Sequence, residues 1–276
     1  MLTLMKTNSS DLKKQNNKVF TLNVEIKVAD IKSEYQEHLK HFQSNFETKG
    51  FRKGKAPLDV VEQNINPEKL FEEVASHLIS HAYAEKIKEH ELKPITQPQV
   101  KFINKDVDFD HDWQIEITSC ELPEIKLDNK YLSEIKKINL DKSLTDENQK
   151  IEKIIDILVK NGEVNLPEIL IESDTQNQLS QLIDQARQAG ITVNDYLKNK
   201  GLTLEQYKEN LKKQLIKEWT LNLAITQIAK EQKIEVSEKE VTDVAGTNPS
   251  LGQNKNFIYY LLTQQKVFDF LKKLDK

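Results

Sequence analysis

The chain has 276 residues and a formal net charge of −4, with only seven glycines and seven prolines. The negative charge argues against a general nucleic-acid-binding protein, and the scarcity of turn residues argues against a turn-rich β-sandwich. Cys120 is the single cysteine, so one chain can build neither a disulfide nor a thiolate metal site, as is typical of a reducing compartment. The N-terminal residues lack the apolar core of a signal peptide, and no stretch approaches a membrane span, so we expect a cytoplasmic protein that does not bind membranes.

The first half of the chain predicts a small domain of strands and helices. Apolar residues alternate along 20–28, which predicts a half-buried strand. Asp30 is expected to cap the helix that follows. Pro57 and Pro67 suit the first turns of two more helices, because proline lacks an N–H group that would be unpaired there. Two further strands are predicted at 99–103 and 113–121. Together these elements predict a compact α+β domain.

A basic segment lies between the first two predicted helices, with the sequence Gly50-Phe51-Arg52-Lys53-Gly54-Lys55-Ala56-Pro57. Its two glycines allow backbone conformations that other residues avoid, and its proline holds the preceding residue in an extended conformation. The segment also contains three cations and one aromatic residue, whereas the chain as a whole has a negative net charge. The segment therefore predicts an exposed, shaped loop that binds an anionic partner.

The second half changes in character after Leu122-Pro123. A charged connector is predicted over 124–150, with at most one strand near 131–138. From residue 151 onward the apolar spacing predicts helices, and Thr203 with Gln206 and Ser237 with Glu240 have the spacing of capping boxes. The run 172–178 contains no apolar residue, which predicts a helix that leaves the bundle and projects as an arm.

The basic segment resembles the signature loop of the trigger factor family, the bacterial ribosome-associated chaperones. The strand–helix–loop–helix order of residues 20–61 is similar to that family's ribosome-binding domain. Three later segments also resemble the family, in the same order along the chain: the start of the first arm helix at 166–172, a helix junction at 233–241 and the C-terminal end at 266–271. The resemblance covers most of the chain.

The resemblance implies an α+β ribosome-binding domain at 1–123, a linker at 124–150 and an elongated all-α chaperone domain with projecting arms at 151–276. Its expected partners are an exit-tunnel protein of the large ribosomal subunit, the adjacent rRNA and unfolded nascent polypeptides, and dimerisation of the free protein is compatible with the family. The residues implied in ribosome binding are Gly50, Phe51, Arg52, Lys53, Gly54, Lys55 and Pro57.

Full-length members of the family carry a prolyl isomerase domain between the two regions. Only residues 122–166 separate them here, and a domain of about 80–100 residues does not fit into that stretch. We therefore expect a short, ATP-independent chaperone with no catalytic residues. Three alternatives stay open: a chaperone that works off the ribosome, like the helical periplasmic chaperone SurA, a residual prolyl isomerase, and a plain RNA-binding module.

Histidines offer the one pattern that could indicate a metal site. Glu73, His77, His81 and Glu85 recur every four residues and share one helical face, which is expected to be solvated. Without a third converging element these residues do not predict a metal site, and His38 and His41 are equally weak candidates. The glycine spacing of a nucleotide site is missing, so no cofactor is expected.

The helical half contains candidates for a surface that binds unfolded chains. The sequence does not separate such residues from ordinary helix-packing core. The candidates are Leu179, Leu182, Ile183, Tyr196, Leu211, Leu215, Trp219, Phe257 and Tyr260.

Overall fold

The computed structural model of the chain describes residues 11–247 and 254–274. It divides the chain into two compact units, Met1–Leu122 and Pro123–Lys276. The first unit combines a sheet with helices and the second is mainly helical, which confirms the predicted fold class. None of the helices in the described ranges is long and apolar enough to cross a bilayer.

The first unit is built on an antiparallel sheet with strand order β1-β2-β4-β3. Both long strands alternate buried and less buried residues, which is the pattern that the sequence predicts for a half-buried strand. The first strand was not predicted, because its three residues include two lysines. The strands are β1 Leu12–Lys14, β2 Val19–Ile26, β3 Gln99–Phe102 and β4 Trp113–Cys120.

Three helices complete the first unit: α1 Val28–Asn45, α2 Leu58–Glu62 and α3 Pro67–Glu89. Their buried residues join the inward residues of β2 and β4 in one hydrophobic core. Trp113 is fully buried there, and its indole nitrogen donates to the carbonyl of Asp108 at 2.6 Å, so burying this polar ring leaves no unpaired donor.

The prediction that Asp30 caps α1 is wrong. The helix begins at Val28, and Asp30 lies inside its first turn. Asp112 fills the capping role, because its Oδ1 accepts from the Val28 backbone N–H at 2.7 Å and its Oδ2 accepts from Lys27 at 3.0 Å. Asp112 is distant in sequence and reaches the helix only through the fold.

The second unit combines a short antiparallel pair of strands with helices. The paired strands are β5 Ile125–Leu127 and β6 Gly162–Val164. The helices are α4 Lys130–Leu140, α5 Glu147–Asn161, α6 Glu168–Gln188, α7 Val193–Asn199, α8 Leu204–Glu231, α9 Glu238–Thr247 and α10 Lys255–Lys272.

The stretch 124–150 is not a linker. It contains β5, α4 and the start of α5, and the strand predicted near Tyr131 is a helix. Tyr131 and Ile135 lie one helical turn apart and are completely buried in the core that α4, α5, α8 and α10 share. Asn139 also donates to the carbonyl of Leu271 at 2.9 Å. The charged residues of α4 are exposed or half-buried, whereas its apolar side packs into the core.

The polar run 172–178 in α6 packs against α8. Thr175 is 5% exposed, and its hydroxyl donates to the carbonyl of Ile171 at 2.6 Å. The indole nitrogen of Trp219 donates to Asp174 Oδ2 at 2.7 Å. Polar contacts therefore take the place of the apolar stripe that this run lacks. Ile171, Leu211 and Leu215 form a small core of their own between the two helices.

Both predicted capping boxes are present. The Thr203 hydroxyl accepts from the Gln206 N–H, and the Gln206 side chain accepts from the Thr203 N–H. At the start of α9, Glu240 closes the second box on Ser237 and also pairs with Lys266 of α10 at 2.7 Å. The hydrogen bond from Lys266, with those from Ser237, lowers the pKa of Glu240 from 4.5 to about 2.

This pairing predicts a pH-dependent contribution to stability. Because the pKa of Glu240 is lowered in the folded chain, its stabilisation is present above pH 4.5 and is lost as the pH falls toward 2. We expect Glu240→Gln to lower the thermal midpoint at neutral pH. The difference in thermal midpoint between the variant and wild type should become smaller as the pH is lowered. Thermal melts followed by far-ultraviolet circular dichroism would measure it. Glu238→Gln, in the same helical turn, is the matched control. A difference in thermal midpoint between Glu240→Gln and wild type that does not change with pH would contradict the role of the ionised Glu240.

Candidate functional site

The basic loop is a closed turn that folds back on the end of α1. The Gly54 N–H donates to the carbonyl of Phe46 at 3.1 Å, so the two sides of the loop meet just beyond the helix. Inside the turn, the Phe51 N–H donates to Thr48 at 3.3 Å and the Lys55 N–H donates to Arg52 at 2.9 Å. The backbone of the loop tip is therefore shaped by its own hydrogen bonds.

Glycine is required at two positions of this turn. Gly50 has a φ of 93° and Gly54 a φ of 73°, which lie in the left-handed region that side chains disfavour. At Gly54 a Cβ atom would also lie 2.9 Å from the carbonyl oxygen of Ser44. At Gly50 a Cβ atom would meet nothing within 4 Å. Gly54 therefore carries a steric constraint that Gly50 lacks.

The far end of the loop is anchored to α1 by two contacts. Ala56 is 1% exposed, and its carbonyl accepts from the side chain of Gln43 at 2.6 Å. The hydroxyl of Tyr35 donates to Glu62 at the end of α2, and burial together with that carboxylate raises the pKa of Tyr35 to about 12. Pro57 is extended and immediately precedes α2. The loop is thus held at both ends by the same helix.

The charged side chains of the loop point away from this frame. Arg52, Lys53 and Lys55 are exposed, and Phe51, next to Arg52, is 43% exposed. Lys53 lies 3.5 Å from Glu47, in a pair exposed enough to contribute little to stability. Within the described part of the chain, no carboxylate forms an ion pair with Arg52 or Lys55. Their charges are available to a partner.

All seven sequence-predicted site residues lie on this loop or at its junction with α2. The sequence did not indicate the residues of α1 that shape it, Gln43 and Ser44. Gln43 contacts Ala56 and Ser44 contacts Gly54 only because the chain folds back on the helix. No local sequence pattern around Gln43 or Ser44 indicates such a contact.

The other candidate residues fall into two groups. Cys120, the single cysteine, is fully buried at the end of β4. Of the residues considered for binding unfolded chains, Leu182, Leu211 and Leu215 are buried and belong to the core. Ile183 and Phe257 are exposed and are the candidates that remain open to a partner, together with the half-buried Leu179, Tyr196, Trp219 and Tyr260.

The histidine face of α3 has a partner that the sequence did not show. His77 and His81 are largely exposed, as predicted. Glu34 and His38 of α1 nevertheless lie against His77, so ligand-type atoms from a second helix converge on it.

The steric constraint at Gly54 can be tested by substitution. Gly54→Ala should lower the free energy of unfolding of the first unit by about 2–3 kcal/mol, because a strained φ and a clash act together. Gly50→Ala, which adds strain alone, should cost about 1 kcal/mol. Urea unfolding in a Trp219→Phe background would measure both through the fluorescence of Trp113. Equal losses in the two variants would contradict the role of the Ser44 contact.

Comparison with known proteins places the chain in a family. The family models described as "Bacterial trigger factor protein (TF)" and "Bacterial trigger factor protein (TF) C-terminus" match residues 5–158 and 127–272, so the two matches overlap. The trigger factor of Bdellovibrio bacteriovorus is 36% identical over 104 residues, which are 36% of this chain and 24% of that protein. The trigger factor of Agathobacter rectalis is 31% identical over 190 residues, which are 68% of this chain and 39% of that protein. The chain thus matches less than half the length of these relatives.

A solved structure shares the fold. It is described as "Promiscuous Substrate Recognition in Folding and Assembly Activities of the Trigger Factor Chaperone" and superimposes with a TM-score of 0.59 over 95% of this chain and 99% of that one, at 12% identity. That level of identity supports the fold alone. The first family model covers more than half of the sequence by itself, and the second accounts for most of the remainder. The chain belongs to the bacterial trigger factor family.

Proposed function

We propose that this chain is an ATP-independent molecular chaperone that docks at the ribosomal exit tunnel through the Gly50–Pro57 loop and shields nascent polypeptides in the cytoplasm. The observation that carries the proposal is the loop itself. It presents an exposed Phe51 on a backbone fixed by hydrogen bonds, beside the cations Arg52 and Lys55, which form no ion pair with any carboxylate of residues 11–247 or 254–274.

The chemistry of the loop suits a surface made of protein and rRNA. The Arg52 guanidinium can form a forked pair with a carboxylate or a phosphate. Lys53 and Lys55 supply point charges for phosphates, whose neutralisation releases counterions and adds affinity. Phe51 can enter an apolar pocket, and an aromatic residue beside an arginine is a common anchor of interfaces. Because the backbone is already ordered, little conformational entropy is lost on docking.

The helical unit supplies a surface suited to unfolded chains. Four large apolar side chains are exposed on α6, α8 and α10 and are scattered among charged residues: Ile183, Ile216, Phe257 and Tyr259. Isolated apolar side chains on a polar surface bind many sequences weakly, which fits clients that must be released to fold. Release from such a surface requires no nucleotide.

Ribosome co-sedimentation of a triple variant tests the docking proposal. Replacing Phe51, Arg52 and Lys53 with alanine should abolish co-sedimentation, because it removes the apolar anchor and two cations. The same variant should still suppress the aggregation of a chemically denatured client off the ribosome, since the helical unit is unchanged. The matched control replaces Lys101, Ile103 and Lys105, which also removes two exposed cations and one exposed apolar side chain from the first unit.

The two readouts separate the competing functions. Undiminished co-sedimentation of the loop variant, or an equal loss in the control variant, would refute docking through the loop. Aggregation suppression by a wild-type chain that never sediments with ribosomes would favour an off-ribosome chaperone instead.

We also propose that the chain has no prolyl isomerase activity. The support is that the two family matches overlap over residues 127–158, which leaves no stretch between them for a third domain. In a refolding assay limited by proline isomerisation, the slow rate constant should stay the same when the chain is added. An authentic prolyl isomerase serves as the positive control, and a slow phase accelerated in proportion to the concentration of this chain would reverse the assignment.

A further inference from the structure

Three side chains from two helices converge on one point in the first unit. Glu34 and His38 lie one turn apart on α1 and therefore share a face, and His77 reaches them from α3. Glu34 Oε1 lies 3.1 Å from His38 Nε2 and 2.7 Å from His77 Nδ1, so one carboxylate oxygen faces a nitrogen of each ring. All three ligand-type atoms lie within 4.8 Å of one another.

We propose that Glu34, His38 and His77 bind a zinc ion. Tetrahedral Zn²⁺ has ligands at about 2.0–2.1 Å, which places neighbouring ligand atoms roughly 3.3 Å apart. The two oxygen-to-nitrogen distances already lie near that spacing. The two ring nitrogens, which lie within 4.8 Å of each other, complete the set of ligand atoms. Two imidazoles and one carboxylate are a known zinc ligand set, in which the fourth position is left to water.

The surroundings of His38 favour metal binding over an accidental cluster. Its other ring nitrogen, Nδ1, lies 3.4 Å from Glu73 Oε2. A metal-bound histidine commonly donates its second N–H to a carboxylate, which fixes the tautomer and makes the ligating nitrogen more basic. With Nδ1 protonated toward Glu73, the lone pair of Nε2 points toward Glu34 and His77. Lys69 Nζ lies 3.9 Å from the other oxygen of that carboxylate, Glu73 Oε1.

The exposure of the three side chains indicates a site that ions can reach. The side chains of Glu34 and His38 are 14% and 20% exposed, whereas that of His77 is 61% exposed. Two ligands are therefore held by the packing of α1 on α3, and the third forms the open side. An ion there would join the two helices, and binding to the folded chain alone would stabilise the first unit by mass action.

This site differs from the histidine ladder that the sequence suggested. His81 follows His77 by one turn on α3 but pairs with Glu85 at 3.8 Å, away from the cluster. The sequence alone does not show a second helix whose ligands converge on His77. In the structure, α1 is that helix and supplies Glu34 and His38. This makes His81 a matched control, since it is a histidine on the same helix with a similarly exposed side chain.

Zinc titration of the full-length chain, with any histidine tag removed, tests the proposal. Competition with a chromogenic chelator should show one high-affinity zinc ion per chain. His77→Ala should weaken the affinity at least tenfold, and His81→Ala should leave it unchanged. Glu73→Gln should weaken it about tenfold by removing the partner of His38 Nδ1. Zinc, but not magnesium, should raise the thermal midpoint of wild type and not that of His77→Ala.

Three results would overturn the site. They are the absence of saturable zinc binding, equal affinities for wild type and His77→Ala, and an equal loss of affinity in His81→Ala. Binding of copper or nickel without zinc would overturn the choice of metal. His77 and His81 are both largely exposed, so both alanine variants should fold, and circular dichroism would verify that.

Discussion

The close approach of Gly54 to the carbonyl oxygen of Ser44 is the constraint on which the basic loop depends. Only a residue without a Cβ atom lets the chain return so tightly to the end of α1. That return brings Gly54 within hydrogen-bonding distance of Phe46 and sets up the contact between Gln43 and Ala56. With the backbone fixed in this way, Arg52 and its neighbours project from a defined platform. On a mobile tether the same charges would lose entropy each time they met a partner.

The two units present their apolar side chains in different ways, and the proposed functions differ accordingly. In the first unit a single aromatic ring stands among clustered cations, which suits one specific partner. In the second unit the exposed apolar side chains are scattered over several helices, so contact with any one of them is weak. The two proposed functions, specific attachment and unspecific holding, thus rest on units that have separate hydrophobic cores. We therefore expect surface mutations in one unit to leave the other unit folded.

Local patterns predicted most of the fold, and contacts distant in sequence account for what was missed. Alternation and helical spacing identified the long strands and most of the helices, and both capping boxes followed from residue spacing alone. The cap of α1 by Asp112 and the hydrogen bond from Trp219 to Asp174 could not be predicted, because each depends on a partner brought close by folding. The loop itself could be located from its motif, and the ribosome-binding role of its residues stays a prediction. Gln43, Ser44 and the approach of Glu34 to His77 have no signal in a single sequence. The sequence predicts a strand where α4 forms because only two residues of this helix, Tyr131 and Ile135, are fully buried. Two apolar positions among many charged residues give too weak a helical pattern to be recognised.

The bond between Asn139 and Leu271 has a consequence for how the chain itself is made. The core around Tyr131 draws on α4 and α5 near the middle of the chain and on α10 near residue 272. Translation delivers these parts at widely separated times, so α4 and α5 leave the ribosome long before the helix that completes their core. The first unit, by contrast, has all its strands and helices once Leu122 has emerged. During synthesis, the apolar residues of α4 and α5 therefore stay exposed until α10 emerges. Chaperones cover apolar surface of this kind in other proteins.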